Sequence, residues 1–214
     1  MPVRKIPPSR RAITGRLTAL KSSGPADYES ALERDFLITL EADPDVVSYE
    51  VQPMRLTYWD SGGRERHYTP DVLVSRRNDV TELCEVKYTT DIQELRAQHR
   101  ERWIAAHQHA QQRGWRFRLI TEHHARTDRT RNWLFLSAFR LLNAHPAHLS
   151  PLLTSAQAHG PLSIAAWLEH HPEPPGELLP FVWHLVCTGE VTVDLDRPLS
   201  LATVVHAPVE ETHA

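Results

Sequence analysis

The sequence predicts an α/β domain in which helices flank a mixed sheet, followed by a small second module. The first part of the chain shows helical and strand patterns in the order helix, strand, strand, strand, helix, strand, which favours a mixed sheet covered by helices. From about residue 130 the patterns become mainly helical. The 214 residues, 41% of them hydrophobic and 24% charged, suffice for one medium domain and a small one. The predicted segments are 1–26, 27–129 and 130–214.

The first segment, residues 1–26, is a basic arm that contains six lysines and arginines and no acid. Pro7-Pro8 and the run Ser22-Ser-Gly-Pro25 predict an extended, poorly ordered chain. Such an arm could lie on DNA phosphates, or it could be a solvated tail. The sequence leaves both alternatives open.

The first helix is predicted over residues 27–41. Apolar residues at four-residue spacing form its buried stripe: Tyr28, Leu32, Phe36 and Leu40. Glu33 lies on the core-facing side of this helix, where a carboxylate needs a partner. It could cap the helix by reaching back to the amide of Ser30. The favoured interpretation is that Glu33 instead adds a third carboxylate to a site on the next strands.

That site is predicted in a hairpin between strands at residues 69–74 and 81–88. If the turn is centred on Asn78, Asp71 lies opposite Glu85, with Cβ atoms about 4.5–5.5 Å apart. Two such carboxylates repel each other unless a cation lies between them. Lys87 projects from the same face as Glu85, because side chains alternate along a strand. The spacing therefore predicts a divalent-metal site with a lysine beside it.

The chemistry of such a site is that of phosphodiester cleavage. Mg²⁺, for which Mn²⁺ is the expected substitute, takes carboxylate oxygens and is usually completed by substrate phosphates. A neighbouring lysine can orient water or neutralise charge on the phosphate. Pro70-Asp71 followed by Glu85-Val86-Lys87 resembles the PD-(D/E)xK nuclease motif. This short motif also occurs by chance, as a surface hairpin with a cross-strand Glu–Lys pair.

The remaining elements of the first domain complete the predicted sheet. A long strand is expected over residues 46–58, interrupted at Pro53, and a second helix over residues 91–113. Arg96, Arg100 and His107 form a basic row on that helix, which is either a DNA-facing row or a solvated surface. Residues 115–120 alternate as a strand with one buried face.

Five segments occur together in the order and spacing of the TnsA family: Ser30-Ala-Leu-Glu33, Tyr49-Glu-Val-Gln-Pro53, Tyr68-Thr-Pro-Asp71, Glu85-Val-Lys87 and Leu119-Ile-Thr-Glu122. The chain resembles this family, the endonuclease subunit of heteromeric bacterial transposases, over about residues 27–125. The resemblance implies a restriction-endonuclease-like fold and Mg²⁺-dependent cleavage at the 5′ ends of a transposon. It also implies three partners: double-stranded DNA of the transposon ends, a transposase subunit that cuts and joins the 3′ ends, and an ATPase regulator.

The family's functional residues can be carried over one by one. Glu33, Asp71 and Lys87 match the catalytic acid, acid and lysine. Glu85 matches a position where some members have glutamine, so its carboxylate could be helpful rather than essential. The metal ligands implied are then Glu33, Asp71, Glu85 and the carbonyl of Val86.

The C-terminal module is predicted to be winged-helix-like. Helices are expected over residues 133–143, 148–159, 161–168 and 177–188, followed by a two-stranded wing over 191–195 and 199–205. Residues 144–214 contain eight acids and one base, a net charge of −7. Because phosphate contacts dominate DNA affinity, this module is expected to bind protein, and the weaker resemblance here suggests docking to the ATPase regulator.

Other classes of function find little support in the sequence. The two cysteines have no CxxC spacing, and adjacent histidines point apart, so zinc is not expected. No secretion signal or membrane span is evident, which favours a cytoplasmic protein without membrane contact. Two alternatives to a transposase nuclease stay open. A stand-alone restriction or repair nuclease is disfavoured by the acidic C-terminal module, and a non-catalytic DNA-bridging scaffold by the intact acids and Lys87.

Overall fold

The computed structural model describes the backbone of residues 13–98 and 100–207, and their side chains except those of residues 95–98. The chain divides into two compact units after Arg126. Each unit has its own hydrophobic core. Within the part of the chain that is described, none of the helices has both the length and the hydropathy needed to cross a membrane.

The first unit is built from short strands and four helices within the described residues. In chain order these are β1 (Gly15–Leu17), β2 (Ala26–Tyr28), α1 (Ala31–Ala42), β3 (Val46–Val51), β4 (Leu56–Trp59), β5 (Glu65–Tyr68), β6 (Val72–Arg76), β7 (Thr81–Val86), α2 (Thr89–Gln98), α3 (Arg100–Gln112), β8 (Arg116–Ile120) and α4 (Glu122–Ala125).

The centre of this unit is a four-stranded mixed sheet in the order β3-β6-β7-β8. β3, β6 and β7 are antiparallel neighbours, whereas β8 is parallel to β7. The mixed sheet flanked by helices that the sequence predicts is therefore confirmed. The register is also as predicted: Val72 pairs with Cys84, so continuation of the ladder places Asp71 opposite Glu85.

Helices cover both faces of this sheet. Leu32, Phe36 and Leu40 of α1 share a core cluster with Cys84 and Val86 of β7. Glu85, between those two residues, points the other way and pairs with Arg102 of α3. Because successive side chains of a strand alternate, α1 and α3 lie on opposite faces of the sheet. The site described below lies at the end of β7, on the α3 side.

The basic arm expected over residues 1–26 is not an arm in its described part. β1 pairs with β2, and residues 21–23 lie along the edge of β3: Ser23 N donates to Tyr49 O at 2.8 Å, and Tyr49 N donates to Lys21 O at 3.0 Å. Glu41 accepts hydrogen bonds from the amides of Leu20 and Lys21. These hydrogen bonds hold the segment on the sheet. They could not be predicted from the local sequence, because the partners are distant along the chain. Residues 1–12 lie outside the described residues.

Two predicted elements of the first unit have different bounds. α1 begins at Ala31, not at residue 27, because Ser30 is its N-cap and residues 26–28 pair with β1. The strand predicted over residues 46–58 is two strands in different sheets, since β4 leaves the central sheet and pairs with β5. The helix predicted over residues 91–113 corresponds to α2 and α3, on either side of His99, which lies outside the described residues.

The second unit is mainly helical. It contains α5 (Asp128–Ser137), α6 (Pro146–His159), β9 (Leu162–Ser163), α7 (Ile164–Leu168), α8 (Pro175–Thr188) and β10 (Val204–Val205). Its core is formed around fully buried side chains, among them Leu136, Leu152, Ile164, Trp167 and Leu185. β9 and β10 form a two-stranded antiparallel sheet.

The pairing in this unit differs from the predicted wing. β10 pairs with β9, and the segment after α8 adds only the bridge between Thr192 and His206. The reason is visible at Asn132 of α5, whose amide donates to the carbonyls of Leu195 and Arg197 at 2.9 and 2.7 Å. These bonds hold the segment as a loop. The helix predicted over residues 133–143 begins at Asp128 instead, because Thr127 caps it, and it ends at Ser137.

Candidate active site

Four of the sequence-predicted site residues meet at the end of β7: Asp71, Glu85, Val86 and Lys87. Lys87 Nζ lies 3.3 Å from Asp71 Oδ2 and 3.0 Å from Glu85 Oε1. The same ammonium donates a hydrogen bond to the carbonyl of Val86 at 2.8 Å. The β6–β7 register causes this convergence, because it sets Asp71 opposite Glu85 at the point where the ladder ends. Two carboxylates and one carbonyl therefore face a single cation.

The electrostatics of this group favour a bound cation. Burial and then repulsion from Glu85 raise the pKa of Asp71 to about 7, although Lys87 opposes this shift. Burial lowers the pKa of Lys87, but attraction by Asp71 and Glu85 outweighs it, so the pKa lies above its ordinary value. Lys87 is therefore charged. Asp71 is in addition held by the amide of Val86, which donates to Oδ2 at 2.7 Å.

The donor set fits a hard divalent cation. Asp71 Oδ2, Glu85 Oε1 and Val86 O all lie within 3.3 Å of Lys87 Nζ. Carboxylate and carbonyl oxygens are the ligands that Mg²⁺ prefers. The Lys87 ammonium thus lies at a position where a cation interacts with all three oxygens. In the described part of the chain, however, no three acids, histidines or cysteines are close enough to bind a metal by themselves.

Glu33, the third predicted acid, makes the bonds of a helix cap. Its Oε2 accepts from Glu29 N at 2.7 Å, its Oε1 accepts from the Ser30 hydroxyl at 3.1 Å, and its own amide donates to Ser30 Oγ. Burial and then repulsion from Asp71 raise the pKa of Glu33, while Lys87 lowers it. Glu33 therefore lies within electrostatic range of Asp71 and Lys87, but it is bonded to its own helix terminus.

Two residues of the site were not predicted from the sequence. The Tyr68 hydroxyl donates to Glu85 Oε2. Arg102 of α3 forms an ion pair with Glu85 Oε1 at 3.4 Å, and its guanidinium lies over the Tyr68 ring, 5.0 Å from the centroid. Tyr68 had a signal, since it opens the Tyr-Thr-Pro-Asp segment. Arg102 had none, because only the packing of α3 on the sheet brings it to Glu85.

The predicted DNA-facing row is described only in part. The side chain of Arg96 lies outside the described residues. Arg100 is exposed at the start of α3. It lines a groove of about 580 Å³ together with Trp103, Ile104, His107, Gln108, Gln111 and Phe117. This groove is largely uncharged, and Arg100 is the cation at its rim.

Comparison with known proteins identifies a family for part of the chain. Residues 43–122 match the family model of the TnsA-like endonuclease N-terminal domain. The matched segment includes Asp71, Glu85 and Lys87 and runs from the end of α1 to the start of α4, whereas Glu33 precedes it. No curated protein sequence matches the chain. The family resemblance is therefore confirmed for this segment.

Proposed function

Residues 43–122 are a TnsA-like endonuclease domain, and from this premise we propose that the protein is the metal-dependent DNA endonuclease subunit of a transposase. It cleaves the 5′ ends of the transposon during cut-and-paste transposition. The observation that carries the proposal is the convergence of Asp71, Glu85 and Val86 O on Lys87 Nζ. Such a role implies a cytoplasmic protein that acts on double-stranded DNA.

Asp71, Glu85 and the Val86 carbonyl are the residues that would hold Mg²⁺, or Mn²⁺ in its place. When bound, the metal supplies Lewis acidity that activates water and neutralises charge on the scissile phosphate. Lys87 donates from Nζ, and its raised pKa keeps it cationic at neutral pH. It can therefore orient the attacking water or stabilise negative charge that develops on the phosphate oxygens. Asp71 supplies negative charge to the metal site, and the hydrogen bond that it accepts from the Val86 amide fixes the orientation of its carboxylate.

Glu33 contributes in one of two ways. If its carboxylate leaves Ser30 and the Glu29 amide, it becomes the third acid of the site. If it stays, it caps α1 and adds negative potential near Asp71. Burial and then repulsion from Asp71 raise the pKa of Glu33, and this repulsion supports the proximity of the two carboxylates in either case.

The DNA contacts are proposed on α2 and α3, where Arg96 and Arg100 would bind phosphates. Exposure of Arg100 supports this assignment. Each arginine that binds a phosphate adds to the affinity for DNA. This contribution depends on salt concentration and does not depend on the DNA sequence. The partner that cuts and joins the 3′ ends is proposed from the family resemblance.

The second unit is proposed to be a winged-helix-like module that docks on the ATPase regulator. From α6 onward, its element order of helix, strand, helix, helix, strand supports the winged-helix assignment. α8, which would be the DNA-reading helix, has no lysine or arginine, and residues 144–214 carry a net charge of −7. A surface of this charge repels DNA phosphates, so a protein partner is the better fit.

The proposal is tested by cleavage of end-containing DNA with the partner subunits, in Mg²⁺ and in EDTA. Asp71→Asn and Lys87→Ala should each lower cleavage by at least about 100-fold, as expected when charge-stabilising groups are removed. Asp79→Asn is the matched control: Asp79 lies in the turn of the same hairpin at φ 58°, which asparagine tolerates. Metal-independent cutting, or full activity of Asp71→Asn, would refute the proposal. Cutting by the protein without partners would favour the stand-alone nuclease.

A further inference from the structure

Glu85 is the most buried of the three charged side chains in the site. Its side chain is 1% exposed, whereas those of Asp71 and Lys87 are 20% and 23% exposed. A buried carboxylate is costly unless both oxygens have partners. Here each oxygen has its own: Tyr68 donates to Oε2, while Lys87 and Arg102 pair with Oε1. The carboxylate is therefore fixed in one orientation.

Tyr68 and Arg102 are themselves held by packing. Tyr68, 6% exposed, forms a core cluster with Leu56 of β4 and Ala106 of α3. Arg102 stacks its guanidinium over the Tyr68 ring, so the two donors support each other as they face Glu85. Arg102 Nε is buried and has no hydrogen-bond partner among the described residues. A buried Nε without a partner costs stability. The position of Arg102 is therefore better explained by its interaction with the Glu85 carboxylate than by a contribution to the stability of the fold.

We propose that Tyr68 and Arg102 are positioning residues that fix the Glu85 carboxylate so that Oε1 stays turned toward Lys87 and Asp71. Neither residue acts on the substrate. Tyr68 holds Oε2 and sets the orientation, while Arg102 balances the charge of Glu85 in the absence of metal. The inference rests on the proposed function, and its tests therefore include one that needs neither DNA nor metal.

The first test is a double-mutant cycle on the metal-free protein. Arg102→Met should lower the midpoint of urea denaturation, because Glu85 loses one of its cationic partners. In the Glu85→Gln background the same change should have much less effect. Arg113→Met is the matched control: Arg113 stacks on Trp115 at 5.5 Å and follows the end of α3. Its effect should be the same with or without Glu85→Gln. Equal effects of Arg102→Met in both backgrounds would overturn the inference.

The second test separates positioning from simple structural support. It uses calorimetry to measure the affinity of the protein for Mn²⁺ alone, without DNA. Arg102→Met removes a positive charge beside a metal ligand, so Mn²⁺ should bind more tightly, by up to about tenfold. Cleavage at saturating Mn²⁺ should nevertheless slow by about 10–100-fold, because the carboxylate is less well oriented. Arg102→Lys should restore the Mn²⁺ affinity but only part of the rate, since lysine lacks the planar fork.

Tyr68→Phe completes the set, because it keeps the ring under Arg102 and removes only the hydroxyl. The rate should fall at least about tenfold, and Mn²⁺ affinity should change little.

A loss of metal binding and rate together in all these variants would indicate a merely structural role. If the wild-type protein neither binds Mn²⁺ nor cuts DNA, the proposed function fails as well. If it does both and Arg102→Met behaves like Arg113→Met, this inference alone fails.

Discussion

At the residue scale, Glu33 has the bonds of a helix cap and also lies within electrostatic range of Asp71. Its carboxylate accepts hydrogen bonds from Ser30 and from the Glu29 amide, as a capping residue does. Burial and then repulsion from Asp71 raise its pKa, which is consistent with a second role of Glu33 in the proposed site. A change that keeps the cap and removes the charge can separate the two roles.

Glu33→Gln is that change, because glutamine also serves in a capping box. We expect the free energy of unfolding to change by less than about 0.5 kcal/mol, while cleavage falls at least about 100-fold. Urea denaturation and a cleavage assay measure the two effects on the same preparation. Glu33→Ala should lose stability as well. An active Glu33→Gln protein would assign Glu33 to the cap alone.

The pH dependence of stability follows from Asp71. Burial and Glu85 raise its pKa to about 7 in the native state, against about 3.9 in an unfolded chain. Between these values the native state binds more protons than the unfolded state, so stability falls as pH rises. In EDTA the wild-type protein should therefore lose about 1–3 kcal/mol between pH 5 and 8 relative to Asp71→Asn.

Chemical denaturation of the two proteins at both pH values measures this difference. Carboxylates whose pKa is lowered, such as Asp43 and Asp60, titrate mainly below this window and are common to both proteins. A wild-type protein that gains stability relative to Asp71→Asn as the pH rises would show that Asp71 is not destabilised by burial and by Glu85.

At the scale of elements, the edge of the sheet depends on the segment before β2. Residues 21–23 cover the free edge of β3, which β6 pairs on the other side. Glu41, 6% exposed, holds this segment by accepting from the amides of Leu20 and Lys21 and from the Tyr49 hydroxyl at 2.9 Å. Covering an edge strand prevents its pairing with another chain.

Glu41→Ala should accordingly destabilise the protein by about 2–4 kcal/mol, since it leaves several buried donors without an acceptor. It should also promote aggregation through the uncovered edge of β3. Urea denaturation and light scattering measure these effects. Glu65→Ala is the control, because the Glu65 side chain is 57% exposed, and its effect should stay within about 0.5 kcal/mol. Equal stability of the two variants would contradict this role for Glu41.

The sequence predicts a strand well when the residues of that strand and of the adjoining turn also determine which strand pairs with it. β6 and β7 alternate around a turn in which Asp79 adopts φ 58°, so their register follows from local residues. β1 and β9 have only two or three residues each, and no periodicity reveals them. β10 falls within the strand predicted over residues 199–205, but its partner is β9 and not the segment after α8. Local pattern also did not reveal which face of the sheet each helix covers.

The same limit explains the site. Asp71, Glu85 and Lys87 come from one hairpin, and their convergence could be derived from strand geometry. Glu33 comes from α1, which packs on the face of the sheet opposite to Glu85, so its reach toward the site could not be derived from spacing. Arg102 belongs to α3, and its approach to Glu85 depends on how that helix packs.

At the scale of the whole molecule, the two units differ in charge: residues 127–214 contain nine acids and four bases, whereas residues 1–126 contain 18 acids and 20 bases. The acidic excess is concentrated in residues 144–214, with eight acids and one base. The first unit contains the nuclease-like domain, and the second has a separate core around Trp167 and Leu185. Each unit is therefore expected to fold on its own and to have its own partner.

Truncation after Arg126 tests this division. The shortened protein should retain its affinity for end-containing DNA within about threefold, because the removed part supplies four bases and nine acids. It should lose its response to the ATPase regulator. Circular dichroism checks folding, and fluorescence anisotropy at two salt concentrations measures DNA affinity. A large loss of DNA affinity, with the regulator response intact, would assign DNA reading to the second unit.

We propose that the group at Asp71 and Lys87 cuts one specific strand at each transposon end. The most direct measurement is strand-resolved analysis of products in a complete transposition reaction that contains Asp71→Asn in place of the wild-type subunit. We expect 5′ cutting to disappear while 3′ joining continues, so that copied cointegrates replace simple insertions. Simple insertions formed at the wild-type level by Asp71→Asn would contradict it.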